Sequence, residues 1–266
     1  MSLYRAGPRD GVAWVTGASS GIGRLLALEL ARDGYAVAVT ARRASRLDEL
    51  AREAGPLAGR IQPFACDVTD EDAMAATVAA IERDCGPIAL AVFNAGDYFP
   101  TRGEDLGTRE FVDTFTINVF GTVFGLVPVV EKMKSRGRGH IAIVGSASSY
   151  GGLPRAAAYG ATKAALNTMA AGLKFDFDPL NIRIQVFNPG FVATPLTKQN
   201  RFAMPALMSV EAAARRIRDG LCTGGFEVSF PRRFTWALKL LALLPFPAYF
   251  AVVRRATGWH RRPRKT

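Results

Sequence analysis

Residues 11–34 read GVAWVTGASSGIGRLLALELARDG. The apolar run GVAWVT (11–16) predicts a buried strand, and GIGRLLALELARDG (21–34) predicts an amphipathic helix stopped by Gly34. Between them lies TGASSGIG, Thr16 to Gly23. A pyrophosphate can approach a backbone only where side chains are absent, and a helix N-terminus offers it free N–H groups and partial positive charge. In this reading Gly17 makes the turn, Gly21 admits the phosphates and Gly23 lets the helix pack on the strand. The spacing is GxxxGxG rather than the commoner GxGxxG. An ordinary tight strand–helix connection can look the same, but the position in the first strand–helix unit favours nucleotide binding.

Outward from this unit the chain repeats the alternation. YAVAVTA (35–41) reads as a second strand, followed by a charged helix through Arg52. A strand at IQPFAC (61–66), a helix at 70–84 and a strand at PIALAVFNAG (87–96) come next, then two longer helices around 108–134. GHIAIVGSAS (139–148), a helix at 156–177 and IRIQVFNPG (182–190) complete the series. Strands apolar along their whole length belong to a parallel sheet covered on both faces. The pattern predicts an α/β fold, a Rossmann-like doubly wound parallel sheet. No linker or composition break precedes residue 230, so one domain is expected over 1–230 and an extension over 231–266.

Two further patterns carry chemistry. The second strand ends VTARR (39–43). A site preferring NAD(H) places an acid near here to hold the ribose 2′-hydroxyl, whereas Arg42 and Arg43 would grip a 2′-phosphate. YGATK sets Tyr159 and Lys163 four residues apart, on one face of a helix. A phenol with pKa near 10 is a poor acid–base group at neutral pH. The neighbouring ammonium is expected to draw that value down. Ser146 ends IAIVGS, at the carboxyl end of a parallel strand, where such folds build their sites. Singly, each pattern has an ordinary reading: a solvated helix start for the arginines, an exposed pair for Tyr159 and Lys163.

Together, TGASSGIG, NAG at 94–96, Asn118, Ser146, YGATK and Pro189–Gly190 occur in the order and spacing of the short-chain dehydrogenases/reductases. The chain resembles that family over residues 10–230. The resemblance implies an oxidoreductase moving hydride between a nicotinamide and a carbonyl or hydroxyl. It makes Tyr159 the general acid–base, Lys163 its pKa-lowering partner and ribose ligand, and Ser146 the donor that orients the substrate carbonyl. Asn118 resembles the residue that holds a water between Lys163 and solvent. Cofactor contacts are implied for Gly17, Ser19, Ser20, Gly21, Ile22, Gly23, Arg42 and Arg43, and for Asp67 and Val68 at the adenine. Asn94, Ala95 and Gly96 match the stretch supporting the sheet and cofactor, and Pro189, Gly190, Val192 and Thr194 fall about the nicotinamide. NADP(H) is the expected cofactor, with NAD(H) as the alternative, and no metal site is expected. Relatives commonly pair through long helices of the kind at 108–134 and 156–177, which implies a homodimer or homotetramer. FNAG stands where the family often has NNAG, so Phe93 is expected to repack a strand end without loss of activity. A catalytically silent NADP(H)-sensing protein is disfavoured, because Ser146, Tyr159 and Lys163 are all present.

The net charge of +11 is unevenly placed. From Pro231 onward there are nine Lys or Arg and no acid, against 25 basic and 23 acidic residues before it. A balanced body gives nucleic acid no basic stripe to bind. The tail FTWALKLLALLPFPAYFAVVRR (234–255) is greasy, but Lys239, Pro245 and Pro247 argue against a single membrane span. The 14 residues after Lys239 to Val253 reach about 21 Å as helix, against a hydrocarbon core of about 30 Å. Two short helices at 233–244 and 247–256 are expected, with Phe246, Tyr249, Phe250 and Val253 sharing a face. Trp236 and Trp259 are placed as interfacial anchors, and Arg232, Arg233, Arg254, Arg255, Arg261, Arg262, Arg264 and Lys265 to meet anionic headgroups. Peripheral membrane docking is the favoured reading; a flap over the substrate cleft or an oligomer arm is the alternative.

The loop GFVATPLTKQNRFAMPALMS after Pro189 is apolar and methionine-bearing, which suits a lipophilic carbonyl or alcohol or else simple core packing. The rival is a soluble enzyme of a small polar substrate, with the tail as lid. Cys66, Cys85 and Cys222 are scattered, with no CxxC pair, and His140 and His260 are too far apart for a metal site. The start MSLYRAGPRDG does not read as a signal peptide. A cytoplasmic location is expected, with the tail at a membrane surface.

Overall fold

Val12–Thr16 (β1) is buried at every residue, and it lies inside the sheet with a parallel strand on each side. The protein is described by a computed structural model over residues 3–200 and 202–259. The expectations placed on His260, Arg261, Arg262, Arg264 and Lys265 fall outside those residues. Around β1 stand Ala36–Ala41 (β2), Arg60–Ala65 (β3), Ile88–Phe93 (β4), Gly139–Val144 (β5), Ile182–Pro189 (β6) and Glu227–Phe230 (β7). They form a seven-stranded sheet in the order β3-β2-β1-β4-β5-β6-β7, parallel throughout. The order reverses between β1 and β4. Such a switch point opens a crevice at the carboxyl edge of the strands.

Helices cover both faces. Gly21–Arg32 (α1), Ala44–Glu53 (α2) and Val210–Thr223 (α7) bury Leu26, Leu30, Leu47 and Ile217 against one face. Glu71–Asp84 (α3), Gly121–Arg136 (α5) and Ala157–Phe177 (α6) bury Met74, Ile81, Val129, Met133 and Leu166 against the other. Each such side chain contributes about 1.5–3 kcal/mol through burial. Phe93 sits edge-on to Trp14, with ring centroids 5.6 Å apart, and a Cβ on Gly125 would come within 2.8 Å of it. The aromatic at this strand end is therefore core packing.

Three features differ from the sequence reading. The two helices expected around 108–134 are one continuous run. Thr108–Phe115 (α4) passes through a π-turn at Thr116–Phe120 directly into α5. The wider turn carries Asn118 to the fully buried side of the run. The short strand β7, EVSF, is not predicted, because four residues, three half-buried and only Phe230 buried, give little periodicity. In the tail, Arg232–Ala242 (α8) and Phe246–Thr257 (α9) form the two helices, with Pro245 capping and Pro247 inside the first turn. Proline is tolerated there because the first-turn N–H groups have no helical partner. Only Tyr249 and Val253 of the expected face are buried, while Phe246 and Phe250 point outward and stack on each other. The cause is local: α9 stands on the 151–153 loop by one edge, with the Tyr249 hydroxyl donating to the Gly152 carbonyl at 2.9 Å.

Candidate active site

The glycine turn is held from below by its neighbouring strand. Thr16 Oγ1 accepts from the N–H groups of Asn94 and Ala95 at 3.0 and 3.1 Å. Asn94 Nδ2 donates back to the carbonyls of Thr16 and Gly17 at 3.1 and 3.3 Å. Gly17 has φ +68°, and a Cβ on it would stand 2.7 Å from the Ala95 Cα. A Cβ on Gly23 would meet Asn94 Nδ2 at 2.4 Å, so this glycine serves helix–strand packing. The N-cap of α1, Ser20, makes no side-chain cap, and the first turn holds no acid. An anion at that helix start would meet uncapped N–H groups and the positive end of the dipole.

This turn borders a cleft of about 630 Å³. Gly17, Ser19, Ser20, Gly21, Ile22, Arg42, Arg43, Asp67, Val68, Asn94, Ala95, Gly96, Pro189, Gly190, Val192 and Thr194 all line it, together with Ser146, Tyr159 and Lys163. Gly23 and Asn118, also singled out in the sequence, stand behind the wall. Arg43 Nη2 donates to Ser19 Oγ at 3.1 Å, which ties the end of β2 to the glycine turn. A narrow backbone cradle, an uncapped helix start and two guanidinium groups fit a dinucleotide with its phosphates. Among the described residues no group of three His, Cys, Asp or Glu comes together as a metal centre.

The hydroxyl pair lies beyond the end of β5. Ser146 leaves the strand in extended backbone and caps a short 3₁₀ turn, accepting from the Ser148 N–H at 3.2 Å. Its own N–H donates to Asn188 Oδ1 at 3.0 Å. Ser146 Oγ also accepts from the Ser148 hydroxyl at 3.0 Å, and both Ser146 and Tyr159 face the cleft. Lys163 Nζ donates to the Val144 carbonyl at 2.9 Å and lies 5.6 Å from the Tyr159 ring centre. Asn118 accepts from the Asp97 N–H at 2.7 Å and donates to the Asp97 carbonyl and Thr162 Oγ1, each at 3.0 Å. Its amide thereby ties the turn after β4 to α6, which carries Tyr159 and Lys163.

The proton affinities correct one expectation. Burial pushes the Tyr159 phenol up to about 12, opposed by the Ser146 hydrogen bond and reinforced by Tyr98. Burial alone pushes the Lys163 ammonium down to about 8. The expected lowering of Tyr159 by Lys163 is absent, and burial dominates both groups because desolvation disfavours the charged form of each. As the chain alone builds it, the Tyr159 phenol keeps its proton at neutral pH.

A second cavity of about 110 Å³ opens on the same pair. Ser146 and Tyr159 belong to both cavities, and Tyr98, Leu153, Phe191, Phe202, Phe234 and Leu238 wall the smaller one. Tyr98 packs edge-on to Tyr159 at 5.2 Å, and Phe191 lies 5.6 Å from Phe234 and 5.7 Å from Phe202. The sequence reading did not single out Thr16, Tyr98, Phe234 or Leu238 as part of the site. Thr16 alone carried a local signal, as the last residue of the strand before the glycine turn. The others arrive from distant segments.

A doubly wound sheet with a glycine-turn cleft and a Ser/Tyr/Lys group at its carboxyl edge defines a nicotinamide-dependent oxidoreductase. Residues 11–204 match the short chain dehydrogenase family. The chain belongs to the short-chain dehydrogenase/reductase family, enzymes that act on CH–OH and carbonyl groups with NAD(P)(H). It is 37% identical over 243 residues to an uncharacterized oxidoreductase of Myxococcus xanthus, covering 91% of this chain and 96% of that protein. It is 38% identical over 189 residues to gluconate 5-dehydrogenase of Gluconobacter oxydans, covering 70% and 73%. Among solved structures, a short-chain dehydrogenase from Streptomyces avermitilis superimposes with a TM-score of 0.77 at 26% identity, covering 94% and 97%. An alcohol dehydrogenase from Thermococcus sibiricus, complexed with 5-hydroxy-NADP, superimposes with a TM-score of 0.75 at 26% identity, covering 83% and 95%.

Proposed function

We propose that this enzyme is an NADPH-dependent reductase of a lipophilic carbonyl compound. The observation that carries the reading is the meeting of two cavities at one pair of hydroxyls: Ser146 and Tyr159 border both the glycine-lined cleft and the aromatic-walled pocket. A nicotinamide held along the glycine-lined cleft would supply the hydride. Ser146 donates a hydrogen bond to the carbonyl oxygen, and Tyr159 gives that oxygen its proton as charge develops there. A phenol held at about 12 keeps its proton at neutral pH, which suits reduction. Lys163, behind the ring, completes the group as Tyr159's cationic neighbour and ribose ligand.

Arg42 and Arg43 on the cleft wall support NADP(H) over NAD(H), since the chain leaves β2 with two arginines rather than an acid to take a ribose hydroxyl. The phenylalanine-rich pocket supports an apolar group next to the carbonyl and disfavours a small polar substrate, despite the likeness to a gluconate dehydrogenase. Purified protein should oxidise NADPH in preference to NADH, and faster with longer-chain ketones and aldehydes than with short polar ones. Equal use of both cofactors, or preference for the polar substrates, overturns this reading.

The tail has two sides in this proposal. Inward, Phe234 and Leu238 of α8 wall the pocket. Outward, Trp236, Leu240, Leu243, Phe246 and Phe250 are exposed between Arg232 and Arg233 at one end and Arg254 and Arg255 at the other. At 11 and 12 residues neither helix spans a core of about 30 Å, so the outer face fits peripheral contact with anionic lipid by a cytoplasmic enzyme. Sedimentation with anionic vesicles, lost in Leu240→Glu/Phe246→Glu, is the expected result; equal sedimentation of the variant removes the membrane contact. Val112, Phe120, Val127 and Phe175, exposed on the helical run and α6, support a homodimer or homotetramer through those helices.

A further inference from the structure

Glu227 on β7 gathers a polar cluster that the sequence reading passed over. Its Oε1 accepts from the Asn188 amide at 2.9 Å and from the Tyr150 hydroxyl, and its Oε2 accepts from Lys239 Nζ at 2.6 Å. Lys239 lies on α8, 5.1 Å from the Tyr150 ring centre and 5.3 Å from that of Trp236. The lysine that interrupts the greasy tail therefore points into the protein. Asn188, fully buried on β6, turns its Oδ1 to the Ser146 N–H at 3.0 Å. A Cβ on Gly145 would stand 2.1 Å from that oxygen, so the close approach needs a glycine there.

An amide side chain has two ends of nearly equal shape and opposite polarity, while a carboxylate can only accept. Glu227 thus settles which end of Asn188 faces the serine. Turned over, the amide would set its NH₂ against the Ser146 N–H, donor against donor. Burial raises the Glu227 pKa, but hydrogen bonds from Lys239, Tyr150 and Asn188 hold it below the ordinary carboxylate value. The acceptor is therefore kept ionised.

We propose that Glu227 is a positioning residue, which sets the catalytic serine through Asn188, and that Lys239 makes the C-terminal hairpin part of this positioning. The proposal rests on the reading of Ser146 as the donor to the substrate carbonyl.

The test compares Ser146→Ala, Glu227→Leu and the double variant for kcat, KM, NADPH affinity and Tm. Ser146→Ala is expected to lower kcat about 10²-fold or more. Glu227→Leu is expected to lower kcat about tenfold or more, because a small misplacement of a catalytic group is costly, with NADPH affinity unchanged. The double variant should be no slower than Ser146→Ala, since nothing remains to be positioned. Glu227→Gln, whose carbonyl still accepts from Asn188, should recover most of kcat. Additive losses in the double variant, or NADPH affinity falling in step with kcat, overturn the proposal. A normal kcat in Glu227→Leu where Ser146→Ala is inactive overturns it alone; a normal kcat in Ser146→Ala overturns the reading of the site. Should Glu227→Leu not fold, Lys239→Met decides: a lower kcat at unchanged NADPH affinity supports the proposal, and an unchanged kcat overturns it.

Discussion

The glycine turn at 16–23 and the helical hairpin at 232–257 border two cavities that meet at Ser146 and Tyr159, and they are built of different materials. The turn works by excluding side chains. Gly17 and Gly23 have no room for a Cβ, and Thr16 and Asn94 pin the backbone with four hydrogen bonds. The hairpin works by supplying side chains: Phe234 and Leu238 to a cavity wall, Lys239 to a carboxylate, Tyr249 to a loop carbonyl. A surface made of backbone can fit one ligand shape and tolerates little change. A surface made of side chains can be retuned by one substitution, which is where substrate choice is best placed.

Substitutions on the two sides should behave accordingly. The largest loss is expected where the sides meet: Tyr159→Phe removes the proposed proton donor and should lower kcat about 10³-fold while NADPH still binds, measured by steady-state kinetics and cofactor fluorescence. Next, Gly17→Ala combines φ +68° with a Cβ 2.7 Å from the Ala95 backbone. It should destabilise the fold by about 2–4 kcal/mol in denaturant titration and weaken NADPH binding. A stable Gly17→Ala protein with normal affinity would break the contrast.

Lys163→Met is expected to abolish turnover and yet stabilise the protein without cofactor. The folded value of about 8 lies below the ordinary 10.5, so folding must deprotonate or desolvate a cation. Stability therefore rises with pH between about 8 and 10.5, and the full penalty applies below 8. Methionine should gain about 1–3 kcal/mol at pH 7, less its lost hydrogen bond to Val144, and that gain should vanish by pH 10.5. A Tm difference that does not change with pH would contradict this. The smallest effect is expected for Phe234→Ala. It should shift kcat/KM between long- and short-chain carbonyls by about tenfold, with little change in NADPH affinity. Equal losses for all substrates would deny the hairpin its part in selection.

Much of the cofactor side was readable along the chain. TGASSGIG, VTARR, NAG and YGATK are local patterns, each legible within one short stretch, and the structure brings them to one cleft. The substrate side was less so. Tyr98, Phe234 and Leu238 come from segments with no shared motif, and nothing in a linear reading pairs Lys239 with Glu227 across β7 and α8. The spacing of Phe246, Tyr249, Phe250 and Val253 predicts one shared apolar face, but that face is divided, with Tyr249 and Val253 inward and Phe246 and Phe250 outward. Periodicity shows that a face is apolar and leaves open what covers it.

By itself the sequence determined the strand–helix alternation of a doubly wound sheet, the glycine turn and the candidate residues Ser146, Tyr159 and Lys163, because these are patterns read along the chain. Only the tertiary structure decided the proton affinity of that group and the wall of the substrate cavity. Desolvation depends on what encloses a side chain from every direction. That enclosure raised Tyr159 where its nearest sequence partner was expected to lower it.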